Sequence, residues 1–277
     1  MATVPTILGD LYVDDQGNDH EPVALLWPSL FTDHSMWRYQ ITPLRAAGWR
    51  TLALDPPGHG RSKGLERDFT MDECAEAALQ VLDTLNVHTS VVVLGTSWGG
   101  MIAPRIALRA PDRVRGMVLF NTTAESATPF DRAKNTLLTW MLAIDALDKV
   151  VDRMNVSLIF SPETRRRKPE LGVELSRNFR SWNRRGVINT VRAVLVDRDS
   201  TLNALRNVKA PALVVSGKED TILPSPHSRR IAEQLPKARH VEVPGAAHLV
   251  PLEAPDAANR LILDFVRDLT RVQAGET

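Results

Sequence analysis

Short, strand-length apolar runs that alternate with helical stretches constrain the fold of this chain more than any other feature. Val23 to Trp27, Thr51 to Leu54, Ser90 to Gly95 and Val114 to Phe120 are such runs, and they suit strands buried on both faces by flanking helices. A helical segment ends at Leu44 to Gly48, where Gly48 is a natural C-cap. Thr70-Met71-Asp72-Glu73 starts the next helix with a capping box, and that helix is expected to run to about Leu85. Met101 to Arg109 is helical and is stopped by Pro111. Thr3 to Leu8 and Asp10 to Asp14 read as two further strands at the N-terminus, with turn chemistry at Asp15-Gln16-Gly17-Asn18. Strand and helix in strict alternation are the signature of a mostly parallel sheet covered on both sides, an α/β fold.

The alternation stops after Phe120. From Asn121 to about Val196 the chain carries amphipathic helical patterning, with Leu137, Leu138, Met141, Leu142, Ile144 and Leu147, and no convincing buried strand. It then resumes with a strand at Ala212 to Ser216, a helix at Ser228 to Leu235, a strand at Arg239 to Val243 and a closing helix at Pro255 to Leu269. The tail from Arg271 is expected to fray. The division that follows is a core of residues 1–120 and 197–277 and a helical cap insertion of residues 121–196.

Composition narrows the function classes. Among 277 residues, 34 Lys and Arg balance 33 Asp and Glu, which gives no electrostatic reason to expect a nucleic-acid partner. The lone Cys74 can form neither an internal disulfide nor a cysteine-based metal site. Met1 to Leu11 lacks the pattern of a secretory signal, and no apolar run approaches the roughly 18 residues of a membrane-spanning helix. A cytoplasmic protein without membrane association is the expectation, its oligomeric state left open with a homodimer as one option.

Gly95-Thr96-Ser97-Trp98-Gly99 lies between a buried strand and a helix, the context of a nucleophile elbow. The two glycines remove side chains that would collide in a very tight turn, and Ser97 projects at a helix N-terminus that favours developing negative charge. A serine hydroxyl needs an adjacent base. His248, in Pro244-Gly245-Ala246-Ala247-His248 after a strand, is the candidate among the seven histidines. Asp220, with Glu219 as competitor, is the candidate carboxylate to orient it, and the chain order Ser97, Asp220, His248 is that of α/β-hydrolases. No metal-ligand cluster and no phosphate or dinucleotide loop stands out, so neither metal nor cofactor is expected.

With these motifs in hand, the sequence resembles α/β-hydrolases of the group that contains 3-oxoadipate enol-lactonases, cofactor-free haloperoxidases (perhydrolases) and related esterases. Asp55-Pro56-Pro57-Gly58-His59-Gly60-Arg61-Ser62 is similar to the family's Gly-His-Gly-x-Ser turn, and Asp33-His34-Ser35-Met36-Trp37 to the segment after its oxyanion loop. The resemblance covers residues 20–120 and 205–265, and the cap more loosely. It implies an eight-stranded, mostly parallel sheet and an oxyanion hole built from the Trp98 N–H and a second N–H after the strand Val23 to Trp27. Most relatives have His-Gly there; this chain has Pro28-Ser29, so the second donor is Leu30, with Phe31 as the alternative.

His59 is read as a loop histidine rather than a catalytic one. Arg165-Arg166-Arg167-Lys168 reads as a solvated loop or helix end, with recognition of an acidic substrate group as the alternative. Phe31, Trp140, Met141 and Trp182 are candidate substrate contacts, with Phe160 also able to line a pocket, although such residues are more often cap core. Together these features imply a serine hydrolase acting on a small carboxylic ester or lactone. Perhydrolysis or carbon–carbon bond hydrolysis on the same triad is the enzymatic alternative, and a non-enzymatic small-molecule receptor on the same scaffold is the competing class.

Overall fold

The computed structural model describes residues 1–274. Its strands are β1 (Ala2–Thr6), β2 (Gly9–Gln16), β3 (Val23–Trp27), β4 (Arg50–Leu54), β5 (Val91–Thr96), β6 (Val114–Phe120), β7 (Ala212–Gly217) and β8 (Ala238–Val243). They form one eight-stranded sheet in the order β1-β2-β4-β3-β5-β6-β7-β8. Only β2 runs against the others. β3, β4, β5 and β7 are buried at every residue, as strands covered on both faces must be. This is the mostly parallel, helix-covered sheet expected from the alternation of strands and helices, and the eight-stranded α/β-hydrolase architecture that the family resemblance implies.

Element boundaries differ from the sequence expectation at both ends of the chain. β1 stops at Thr6, because Ile7 and Leu8 form the hairpin turn. The Thr6 hydroxyl organises that turn by donating to the Gly9 carbonyl (2.7 Å) and accepting from the Leu8 N–H (3.1 Å). Leu8 nevertheless reaches the core, so its apolar character reflects burial rather than strand membership. The final helix, Pro255–Ala274, continues past Arg271, where fraying was expected; residues 275–277 lie outside the described residues.

The register sets the site. Trp27 pairs with Gly95, Thr96 with Phe120, and Gly217 with Val243. The loops after β3, β5, β6, β7 and β8 therefore open on one edge of the sheet, the edge where open α/β sheets hold their ligands. Between β6 and β7 lie the helices Pro129–Leu142, Asp148–Ile159, Pro162–Arg167, Pro169–Ser181 and Arg184–Val191, and no strand among the described residues. This helical stretch is anchored to the sheet side by Arg38, bidentate to Glu174 (3.1 and 3.0 Å). Asn189 bonds the Leu65 carbonyl (2.8 Å), and the His248 N–H bonds the Ile159 carbonyl (3.0 Å). Among the described residues no helix is long and apolar enough to cross a membrane.

Candidate active site

Ser97 sits between β5 and the helix Trp98–Arg109 at φ +52 and ψ −106. A left-handed φ at a residue with a side chain costs on the order of 1–3 kcal/mol and persists only where the surroundings enforce it. Here the backbone is clamped from both sides. The Ser97 N–H donates to the Phe120 carbonyl (2.8 Å), and the Ser97 carbonyl accepts from the Thr122 hydroxyl (2.7 Å). The flanking glycines are steric necessities. A Cβ on Gly95 would lie 2.2 Å from the Gly99 carbonyl carbon, and one on Gly99 2.0 Å from the Trp27 carbonyl oxygen. Ser97 is thus held at a fixed height above the sheet edge. Trp98, the first residue of its helix, presents an N–H with no partner inside the helix.

His248 and Asp220 are both buried, and His248 Nδ1 lies 2.8 Å from Asp220 Oδ2. The other Asp220 oxygen accepts from the N–H groups of Ile222 (2.8 Å) and Leu223 (3.1 Å). Burial by itself would raise the Asp220 carboxyl, but the His248 charge and the hydrogen bonds from His248, Asn121 and Leu223 outweigh it and hold it below the ordinary value. Glu219, the competing carboxylate, points elsewhere and accepts from the Gly245 N–H (3.1 Å).

Two supports of this pair escape sequence reading. Asn121, at φ +47 directly after β6, donates to Asp220 Oδ2 and to the Ala247 carbonyl, both at 2.9 Å. An asparagine at a strand's C-terminal edge is a usable signal, because Asn tolerates the left-handed region. Glu253 accepts from the N–H groups of Ala247 (3.0 Å) and Leu249 (3.1 Å) on either side of His248, and from Ser161 N–H (2.8 Å) in the helical stretch. Burial pushes its carboxyl up, against the lowering effect of those hydrogen bonds. Nothing in the local sequence distinguishes Glu253 from a surface glutamate.

The loop after β3 folds through a turn in which the Thr32 N–H donates to the Ser29 carbonyl (3.2 Å), with Phe31 at φ +64. His59 fixes this turn. Its ring is fully buried, Nδ1 lies 3.0 Å from the Pro57 carbonyl, and Nε2 lies 3.2 Å from the Phe31 nitrogen. Nδ1 therefore carries the proton and Nε2 accepts from Phe31. Burial pushes the His59 pKa down to about 4, so the ring is neutral near pH 7. The Phe31 N–H is thus engaged by His59.

Ser97, His248, Leu30 and Phe31 line one cavity of about 400 Å³. Its far wall comes from the helical stretch: Leu138 and Met141 from one helix, Met154, Asn155 and Ile159 from another. Among the hydrogen bonds of the described residues, none joins Ser97 Oγ to His248; catalytic hydrogen bonds commonly tighten only when substrate is bound. Of the four candidate substrate contacts, the structure brings Phe31 and Met141 to the cavity. Trp140 does not belong there: it is 71% exposed on the outer face of its helix. Trp182 is also displaced from the cavity lining; its ring packs on His59 at 4.6 Å between centroids. Phe160 is buried outside this cavity.

The basic run lies away from Ser97 too. Arg167 pairs with Glu163 (3.2 Å), and Lys168 donates to the carbonyls of Leu252 and Glu253. Arg165 and Lys168 border a separate groove of about 910 Å³. Asp33, His34 and Asp55 could offer three ligand atoms to a metal, but these atoms bond within the protein. Asp33 caps the Ser35 N–H, and Asp55 Oδ1 lies 2.7 Å from both the His34 N–H and His34 Nδ1.

Comparison with known proteins places the chain among relatives of the same fold. The chain is 24% identical to 3-oxoadipate enol-lactonase 1 of Acinetobacter baylyi, with 94% of each protein covered. It is 32% identical over 81% of its length to the dihydrolipoyllysine-residue acetyltransferase component of the acetoin cleaving system of Pseudomonas putida, of which it spans 58%. The solved enol-lactonase of Burkholderia xenovorans superposes with a TM-score of 0.88 at 25% identity, covering 96% of this chain and all of that one. A profile of the family described as alpha/beta hydrolase fold matches residues 22–255. The chain belongs to the alpha/beta hydrolase fold family.

Proposed function

We propose that this hydrolase cleaves a carboxylic ester or lactone through an acyl-enzyme on Ser97, with His248 as general base and Asp220 as its orienting carboxylate. The observation that carries the reading is the buried Asp220–His248 pair, whose histidine lines the same cavity as a serine held at φ +52. Asp220 on Nδ1 selects the tautomer whose Nε2 accepts a proton and stabilises the imidazolium that results. Ser97 Oγ attacks the carbonyl carbon while its proton passes to Nε2. The tetrahedral oxyanion is held by the Trp98 and Leu30 N–H groups. His248 returns the proton to the departing alkoxide, and then takes one from the water that releases the acid. Residues 121–196 act as a cap over the reacting carbonyl, and their wall of Leu138, Met141, Met154 and Ile159 excludes water from it.

The enol-lactonase relatives lend the lactone half of this reading its support. A fluorophosphonate probe tests it: the folded protein should gain one adduct on Ser97 and release acid from small esters or lactones. A folded protein that neither labels nor hydrolyses would point to a receptor instead.

A further inference from the structure

Buried polar side chains almost always find a hydrogen-bond partner, so one that lines a cavity without a partner marks where a ligand completes the set. Asn155 is such a residue. The residue is 8% exposed and lines the cavity that holds Ser97 and His248, and its amide, open to that cavity, makes no hydrogen bond to the protein among the described residues. Its neighbours in the wall are Met154, Leu158 and Ile159, which offer nothing for an amide to bond. Other polar groups of the lining are placed differently. The Asn135 amide is already used, donating to the Leu195 carbonyl (3.0 Å). Lys134, the one Lys or Arg among the described residues of the lining, is largely exposed and lies 3.5 Å from Asp131.

The position of Asn155 is set by the backbone. Ile159 lies one helical turn further along the same face, and its carbonyl accepts from the His248 N–H (3.0 Å). One turn is about 5.4 Å. The amide therefore stands about one turn beyond the peptide of the proposed base, on the cap side and not in the oxyanion loop. A group that meets it belongs to the substrate but lies away from the scissile carbonyl.

On the reading that Ser97 is the nucleophile, we infer that Asn155 recognises a second, uncharged oxygen function on the substrate, a keto, hydroxyl or amide group borne on an otherwise apolar chain. An asparagine amide offers both donors and an acceptor, which suits an uncharged oxygen function. Among the described residues no guanidinium lines the cavity, and the Lys134 ammonium at its edge is exposed and lies beside Asp131. The surrounding leucine and methionine side chains take the apolar remainder of the chain.

The test compares p-nitrophenyl esters of medium-length unbranched acids with counterparts carrying one keto or hydroxyl oxygen at successive carbons. The wild type should favour at least one oxygenated member over its alkyl match by about tenfold in kcat/KM, the worth of one hydrogen bond to the substrate. Asn155→Leu should bring that ratio below about threefold, with a melting temperature close to that of wild type, because the amide it removes makes no hydrogen bond to the protein. Asn155→Ala should give the same loss of preference should the leucine fail to fit. The same pairs titrated calorimetrically into Ser97→Ala read the preference in affinity without turnover. An oxygen preference absent from the wild type, or kept in full by both Asn155 variants, overturns the inference. Phosphonate labelling of wild-type Ser97 reports separately on the hydrolase reading: labelling without an Asn155-dependent preference sinks this inference alone, whereas a preference in affinity without labelling sinks only the hydrolase reading.

Discussion

Ser97, His248 and His59 are held by different means, and each therefore fails differently. Replacing Ser97 by Ala removes the proposed attacking oxygen and should lower kcat by about 10⁶, as loss of a triad serine does in a well-studied protease, with an unchanged melting curve. Activity above a tenth of wild type would overturn the assignment. His59 touches no reacting atom and acts by positioning Phe31, and through it Leu30. His59→Ala leaves the Phe31 N–H unmet and should let the proposed oxyanion loop drift; a displaced donor there costs about 10²–10³ in kcat. The expected signature is a fall in kcat with little change in KM and partial recovery in His59→Gln, whose carbonyl can accept from Phe31. The pH profile separates the two histidines. The proposed base works only when neutral, so kcat/KM falls on the acid side. His59, already neutral above its pKa of about 4, leaves that limb in place when replaced. A limb that vanishes in His59→Gln would reverse the two roles.

Whole elements meet at a few tight crossings, where the helical stretch approaches the turn after β4. A Cβ placed on Gly186 would lie 2.7 Å from Gly64 Cα, and the Thr190 hydroxyl lies 3.1 Å from the Pro57 carbonyl in the turn that carries His59. Gly186→Ala must push the helix Arg184–Val191 off that turn, and overpacking of this kind costs about 1–3 kcal/mol. Thermal denaturation should show a lower midpoint, with kcat/KM falling as His59 loses its support; an unchanged midpoint would mean that the crossing yields freely. On the helix Pro129–Leu142, Met141 faces the cavity and Trp140 faces outward. Met141→Ala should reorder preferences across a panel of acyl chain lengths, whereas Trp140→Ala should not. A reordering by Trp140→Ala would show that this helix presents another face in solution.

Among the groups that make the stability of the molecule depend on pH, His34 and Asp220 act in opposite directions. Burial opposes protonation of His34, but its hydrogen bond to Asp55 and the nearby charges of Asp55, Asp33 and Asp14 outweigh burial and raise its pKa above 6.5. A pKa raised on folding contributes stability that is complete below the unfolded value of about 6.5 and is lost as pH rises through the folded value. Asp220 shifts the other way, so its contribution is present above its unfolded value of about 3.9 and is lost as pH falls through the lower folded value. Denaturant titrations should therefore show the largest gap between wild type and His34→Gln on the acid side of neutrality, narrowing as pH rises. A gap that widens with pH would refute the His34–Asp55 account.

What the sequence determined by itself was whatever depends on short stretches of chain. Apolar strand runs, the Thr70 and Glu73 capping box and the Gly95–Gly99 elbow are local patterns, and the steric demand behind each is met within a few residues. The Ser97, Asp220, His248 order was legible because each residue follows a recognisable strand. Tertiary structure alone decided the rest. Periodicity could not say that Trp140 faces outward while Met141 faces the cavity, because neighbouring helix residues point about 100° apart and only packing chooses the buried side. Nor could it assign Asn121, Glu253 or Asn155. The first two work through hydrogen bonds to residues at least four positions away, and as many as 126. The third is conspicuous only because the folded chain buries it and supplies no partner.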